Sequence, residues 1–109
     1  MRVELPQGTL ETLILKTLTW GPMHGYGIGR AIERTSEDAL TIEEGSLYPA
    51  LYRMEKRGWI APEWRQTENN RRAKYYVLTD EGRRQLAAQT QRWSHLVASV
   101  GRVLEAGIP

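Results

Sequence analysis

The chain has no cysteine among its 109 residues. That removes any disulfide framework, thiolate nucleophile, or Cys-ligated zinc or iron–sulfur site. Histidine is almost as scarce. His24 and His95 are far apart, and no further ligands at helical spacing accompany them, so no metal is expected. No stretch approaches the roughly 20 apolar residues of a membrane span. Met1 to Pro6 shows no basic leader ahead of an apolar run, and Glu11 interrupts the nearest candidate, so the expectation is a cytoplasmic chain with no membrane contact. No repeat, low-complexity tract or Pro/Gly/Ser linker divides the sequence, which predicts one small domain. Recognisable catalytic sets are missing too: Glu43-Glu44 and Asp80-Glu81 both flank helix starts, and no Ser/His/Asp set is evident, so neither enzymatic activity nor a cofactor is expected. Gly25-Tyr26-Gly27-Ile28-Gly29 is not read as a dinucleotide loop, because Arg30 stands where the last glycine belongs and no strand is expected before it.

An excess of one charge is also lacking, since the formal balance is only +2. The distribution, however, is uneven. Residues 1–52 carry −3, residues 53–84 carry +4 and residues 85–109 carry +1. A basic middle between acidic and near-neutral segments points to a local anionic partner. A solvated charged surface is the alternative.

Hydrophobic periodicity places the elements. Leu10, Leu13, Ile14 and Leu18 keep helical spacing, with Thr9 as the expected N-cap of a helix over 9–19. Trp20-Gly21-Pro22 breaks it, and Ile28, Ala31 and Ile32 mark a second helix over 25–35. Ser46 is the expected N-cap of a third, with Pro49 in its first turn and Gly58 just past its end. Leu47, Ala50, Leu51 and Met54 form its inward stripe; Pro49, Tyr52, Arg53 and Lys56 point the other way, with Tyr48 on one flank and Arg57 nearer the other. Two β-prone runs near 59–65 and 73–78 form a hairpin with a polar connection ending in Arg71-Arg72, and Pro62 predicts that the first run lies at an edge. Thr79-Asp80-Glu81 opens a last helix reaching about Leu104. Its Leu86, Trp93, Leu96, Val97, Val100, Val103 and Leu104 line one side, and the 25 or so helical residues span about 37 Å, more than a domain of this size covers.

Three helices, the third basic and aromatic on its outer face, followed by a hairpin with a basic tip, describe a mainly α winged helix-turn-helix. The expected division is a winged unit at 1–78 and a dimerisation helix at 79–109. Small, polar, aromatic and cationic side chains suit a helix that enters the major groove of double-stranded DNA. The expected DNA-facing set on the third helix is Ser46, Tyr48, Pro49, Tyr52, Arg53 and Lys56. For Tyr48 and Tyr52, partial core packing is the competing role. Arg71, Arg72 and Lys74 form a wing suited to phosphate or the minor groove, against the plainer reading of a solvated loop tip. A winged-helix module that binds protein, its third helix buried in a partner, is the rival function.

These residues also carry a family resemblance. Gly8 to Leu15, His24-Gly25-Tyr26-Gly27-Ile28, Gly45-Ser46-Leu47-Tyr48-Pro49-Ala50-Leu51, Arg71-Arg72-Ala73-Lys74-Tyr75-Tyr76 and Leu78-Thr79-Asp80-Glu81-Gly82 make the chain resemble the PadR family of bacterial transcriptional regulators from about Leu5 to Leu104. The resemblance implies a homodimeric repressor of the short subfamily, with a single C-terminal dimerisation helix and an inverted-repeat operator. It implies that Tyr26, Ser46, Tyr48 and the wing cations contact DNA. Ala73 stands where many relatives carry a further basic residue. Trp93 matches the tryptophan on which multidrug-sensing members stack flat aromatic effectors; dimer packing is its other role.

Overall fold

The computed structural model describes residues 5–6 and 8–107. Each predicted helix forms where its apolar spacing lay: α1 (Thr9–Leu18), α2 (Gly25–Thr35), α3 (Glu44–Lys56) and α4 (Asp80–Glu105). The hairpin is β2 (Ile60–Gln66) and β3 (Arg72–Leu78). A short strand the sequence reading did not foresee, β1 (Met23–His24), completes a three-stranded antiparallel sheet in the order β1-β3-β2. A strand therefore does precede the Gly25–Gly29 run, but it is a two-residue antiparallel strand and not the parallel strand of a dinucleotide fold. β2 is an edge strand, as Pro62 requires.

Ile14, Leu15 and Leu18 of α1, Ile28 and Ile32 of α2, Leu47, Ala50, Leu51 and Met54 of α3, and Ile60 and Tyr76 of the sheet form one buried cluster. The inward face of α1 is rotated relative to the predicted stripe. Leu15 is fully buried, while Leu10 and Leu13 are only partly covered. Buried Thr17 donates its hydroxyl to the Leu13 carbonyl at 2.7 Å, so no polar group is left without a partner there.

Two expected caps lie elsewhere. Gly8, not Thr9, is the N-cap of α1, and Thr9 is its first helical residue. Glu43, not Ser46, is the N-cap of α3. The Glu43 carbonyl accepts from the Ser46 and Leu47 N–H groups at 3.0 and 2.9 Å, so the helix starts before the serine. Pro49 consequently lies beyond the first turn, where it removes the donor for the Gly45 carbonyl. Gly45 is solvent-exposed, so water can satisfy that carbonyl.

The C-terminus of α3 behaves as read. Gly58 has φ of 76°, its N–H donates to Glu55 O and the Trp59 N–H to Met54 O, both at 3.0 Å. This paired arrangement satisfies the terminal carbonyls and turns the chain into β2. Thr79 caps α4, accepting from the Gly82 N–H at 3.0 Å and donating to Gly58 O at 2.6 Å, which ties the last helix to the start of the wing. Gly82 is buried so tightly that a Cβ there would overlap the Trp59 carbonyl oxygen.

The first half of α4 belongs to the same packed body. Leu86 packs against the core and is partly buried within its own chain, unlike the rest of the expected dimer stripe. Gln89 accepts a hydrogen bond from the Thr12 hydroxyl of α1. Beyond that point Trp93, Leu96, Val97, Val100, Val103 and Leu104 are all exposed. With 26 residues, α4 spans about 39 Å, and the molecule measures 64 × 30 × 22 Å. No helix among the described residues is long and apolar enough to cross a membrane.

Candidate nucleic-acid interface

With its apolar stripe fixed inward, α3 has three kinds of solvent-facing position. Tyr52 and Lys56 lie outermost, and the Lys56 ammonium sits 5.3 Å from the Tyr52 ring centre. On one flank, Ser46, Pro49, Arg53 and Arg57 border a groove of about 1210 Å³ shared with Glu11, Thr41 and Glu43. On the other, Tyr48 lies against α2 and Glu55 faces the wing.

The tyrosines are surface residues first. Tyr26, Tyr48 and Tyr52 are 62%, 45% and 62% exposed. Tyr48 also packs over Gly25 so closely that a Cβ there would fall 2.7 Å from its ring, so both roles weighed from the sequence meet in this side chain. Tyr26 stacks near His24, with ring centres 6.3 Å apart. His24 is held in turn: its Nδ1 accepts from the Gly27 N–H at 2.9 Å, which caps α2, and its ring meets Tyr75 edge-on at 5.4 Å.

The cations selected from the sequence fall into two groups. Arg53 and Lys74 are already engaged by carboxylates. The Arg53 guanidinium lies 3.0 Å from Glu11 of α1, whose side chain is only 14% exposed. The Lys74 ammonium lies 2.9 Å from Glu55 of α3. Donation to Glu55 holds the Lys74 ammonium above its usual 10.5, against a smaller opposing effect of desolvation. These pairs join the two flanks of α3 to α1 and to the wing. Lys56, Arg71 and Arg72 form the second group, with no carboxylate within ion-pair distance among the described residues.

The wing is a regular hairpin. Trp64 pairs with Lys74 and Gln66 with Arg72, which puts Trp64, Arg72 and Lys74 on one face of it. A turn from Thr67 to Arg71 closes the tip, with Thr67 N–H donating to Arg71 O at 2.7 Å. Arg65 points to the opposite face, paired with Glu63.

Glu11, Glu55 and Trp64 were not singled out from the sequence. Glu55 sits at helical spacing beside Tyr48, and Trp64 falls opposite Lys74 once the hairpin register is known, so a helical wheel and a register would have raised both. Nothing local marks Glu11, whose partner lies 42 positions away.

Three helices followed by a hairpin that flanks the third, with β1 completing its sheet, define a winged helix-turn-helix protein. The description "Transcriptional regulator PadR-like family" matches residues 14–88, and the chain belongs to that family of non-enzymatic transcriptional regulators. A PadR-like transcriptional regulator of Bacillus cereus, BC4206, is 29% identical, with a TM-score of 0.80 over 93% of this chain and 96% of its own. A PadR family regulator of Eggerthella lenta is 35% identical, with a TM-score of 0.78 over 93% of this chain and 86% of its own. Among curated proteins, a Streptomyces fradiae protein described as "Uncharacterized 37.1 kDa protein in transposon TN4556" is 38% identical over 91% of this chain, but the chain spans only 26% of that protein's length.

Proposed function

We propose that the chain is a sequence-specific, double-stranded-DNA-binding repressor that acts as a cytoplasmic homodimer on an inverted repeat. The observation that carries this reading is the set of exposed, unneutralised cations Lys56, Arg71 and Arg72 beside exposed Tyr26 and Tyr52, on a recognition helix and a wing joined through Glu55 and Lys74. Cations that lack carboxylate partners release counterions when they meet phosphate, and exposed hydroxyls donate to phosphate or base edges. Ser46, Tyr48 and Pro49 line the same helix. Arg53 reads or grips DNA only with the donors that Glu11 leaves over.

Dimerisation is assigned to α4 beyond Leu86. Trp93, Leu96, Val97, Val100, Val103 and Leu104 repeat at helical spacing and are exposed, more apolar surface than a lone helix keeps in water. The division of labour is then a winged unit at 1–78, braced by the first turns of α4, and a dimerisation segment in the remainder of 79–109. Repression is tested by deleting the gene, which raises transcription from the occupied promoter if the protein represses.

An effector role for Trp93 is the second reading. With Leu13, Leu40, Gln89, Arg92 and Leu96, Trp93 borders a groove of about 520 Å³ between α1 and α4. A planar aromatic molecule seated there would contact both helices and so couple to the separation of the two recognition helices. Titration of planar cationic dyes into a variant keeping only Trp93 quenches its fluorescence if the groove binds them; no quenching leaves Trp93 as packing.

A further inference from the structure

We propose that Trp64 is a positioning residue for DNA binding, holding the Arg72 guanidinium in place for a backbone phosphate; this rests on the DNA-binding reading above. Trp64 is a large apolar ring left 56% exposed on an edge strand. Arg72 lies diagonally across the hairpin, and its guanidinium carbon is 5.3 Å from the ring centre. The pair shares its face with Lys74, whose bond to Glu55 turns that face towards the recognition helix.

The alternatives available to a wing arginine show why the ring matters. An arginine on a flexible strand end loses side-chain freedom when it grips phosphate. A carboxylate partner would order it but would also cancel its charge, as Glu63 does for Arg65. An aromatic face orders the guanidinium without neutralising it and leaves its edge donors free for bidentate contact with phosphate. The same device recurs on α3, where Tyr52 underlies Lys56. Two of the three unneutralised cations proposed to meet DNA thus rest on exposed rings.

The test uses the full chain and a labelled mixed-sequence duplex, because a phosphate contact is independent of base sequence. Binding is measured at several salt concentrations for wild type, Trp64→Ala, Trp64→Phe, Arg72→Ala and the Trp64→Ala/Arg72→Ala double variant. Arg72→Ala weakens binding roughly five- to ten-fold near 0.1 M salt and, because a homodimer loses two contacts, lowers the salt slope by about 1.8. Trp64→Ala weakens it about two- to five-fold, and Trp64→Phe restores most of that. The double variant is no weaker than Arg72→Ala alone, a coupling that a purely structural tryptophan would not show. Unchanged binding by Trp64→Ala, or losses that multiply in the double variant, overturns the proposal. If wild type shows no salt-sensitive binding to any duplex, the DNA-binding reading itself has failed.

Discussion

Glu11 and Arg53 show how a side chain that looks free in a helical wheel is committed in the fold. Glu11 is largely covered, and Arg53 is the cation placed against it. Replacing Arg53 by Ala therefore does two things: it removes a cation from the helix proposed to face DNA and leaves a largely covered carboxylate unpaired. The expected outcome is a loss of stability of about 1 kcal/mol, recovered by adding Glu11→Gln, as measured by urea denaturation of wild type and the two variants. Equal stability in all of them would mean the pair contributes only surface electrostatics. Gly82 gives a sharper case. A Cβ there overlaps the Trp59 carbonyl oxygen, a backbone atom that cannot rotate away. The helix propensity gained by alanine, up to about 1 kcal/mol, opposes this but is smaller than the strain of an overpacked backbone contact, about 1–3 kcal/mol. Gly82→Ala thus lowers Tm by several degrees, read by calorimetry.

The ionisable groups add a pH signature at the same scale. Lys74 has a raised folded pKa, so its contribution with Glu55 is complete below 10.5 and is lost as pH rises through the raised value. Glu81 is held below its usual 4.5 by hydrogen bonds from Gln85 and then Arg84, so its contribution is present above 4.5 and is lost as pH falls through the lowered value. In Glu55→Gln the alkaline loss of stability expected of wild type becomes smaller, which denaturation midpoints on either side of pH 10.5 measure.

Among the elements, the helices were legible in the sequence because four apolar residues per two turns leave a clear period, and Gly58 and Thr79 carry local chemistry that ends one helix and starts another. The start of α3 was not. Its N-cap is Glu43, with no side-chain cap, so the chain holds no capping signal there, while Ser46 offers a false one. β1 was invisible because a two-residue strand has no alternation to read; it exists through pairing with Tyr75 and Tyr76, some 50 residues on. Of the candidate site, the exposure of Tyr26, Tyr48, Tyr52 and most of the chosen cations follows from the helical and hairpin pattern, but which cations are neutralised depends on contacts between distant segments. Leu86 continues the stripe of α4 and also packs in part against the core, a contact that the stripe alone does not reveal. The rest of the stripe supports an element-scale prediction. Val100→Glu places a charge amid exposed Val97, Val103 and Leu104, so sedimentation shows a dimer for wild type and a monomer for the variant, with helical content retained. A variant that still sediments as the dimer would move the interface elsewhere.

For the whole molecule, the near-neutral total of charges hides a basic segment at 53–84, and the structure divides even that segment. Arg65 and Lys74 are spent on Glu63 and Glu55, and Arg53 on Glu11, which leaves Lys56, Arg71 and Arg72 as the unneutralised members of the set chosen from the sequence. In a homodimer these are about six cations facing phosphate. The direct test is the binding constant for the duplex upstream of the gene, measured over a range of salt and plotted on logarithmic axes. A slope near −5, six contacts at about 0.9 each, is the predicted result; a slope indistinguishable from zero would contradict the assignment of this surface to DNA.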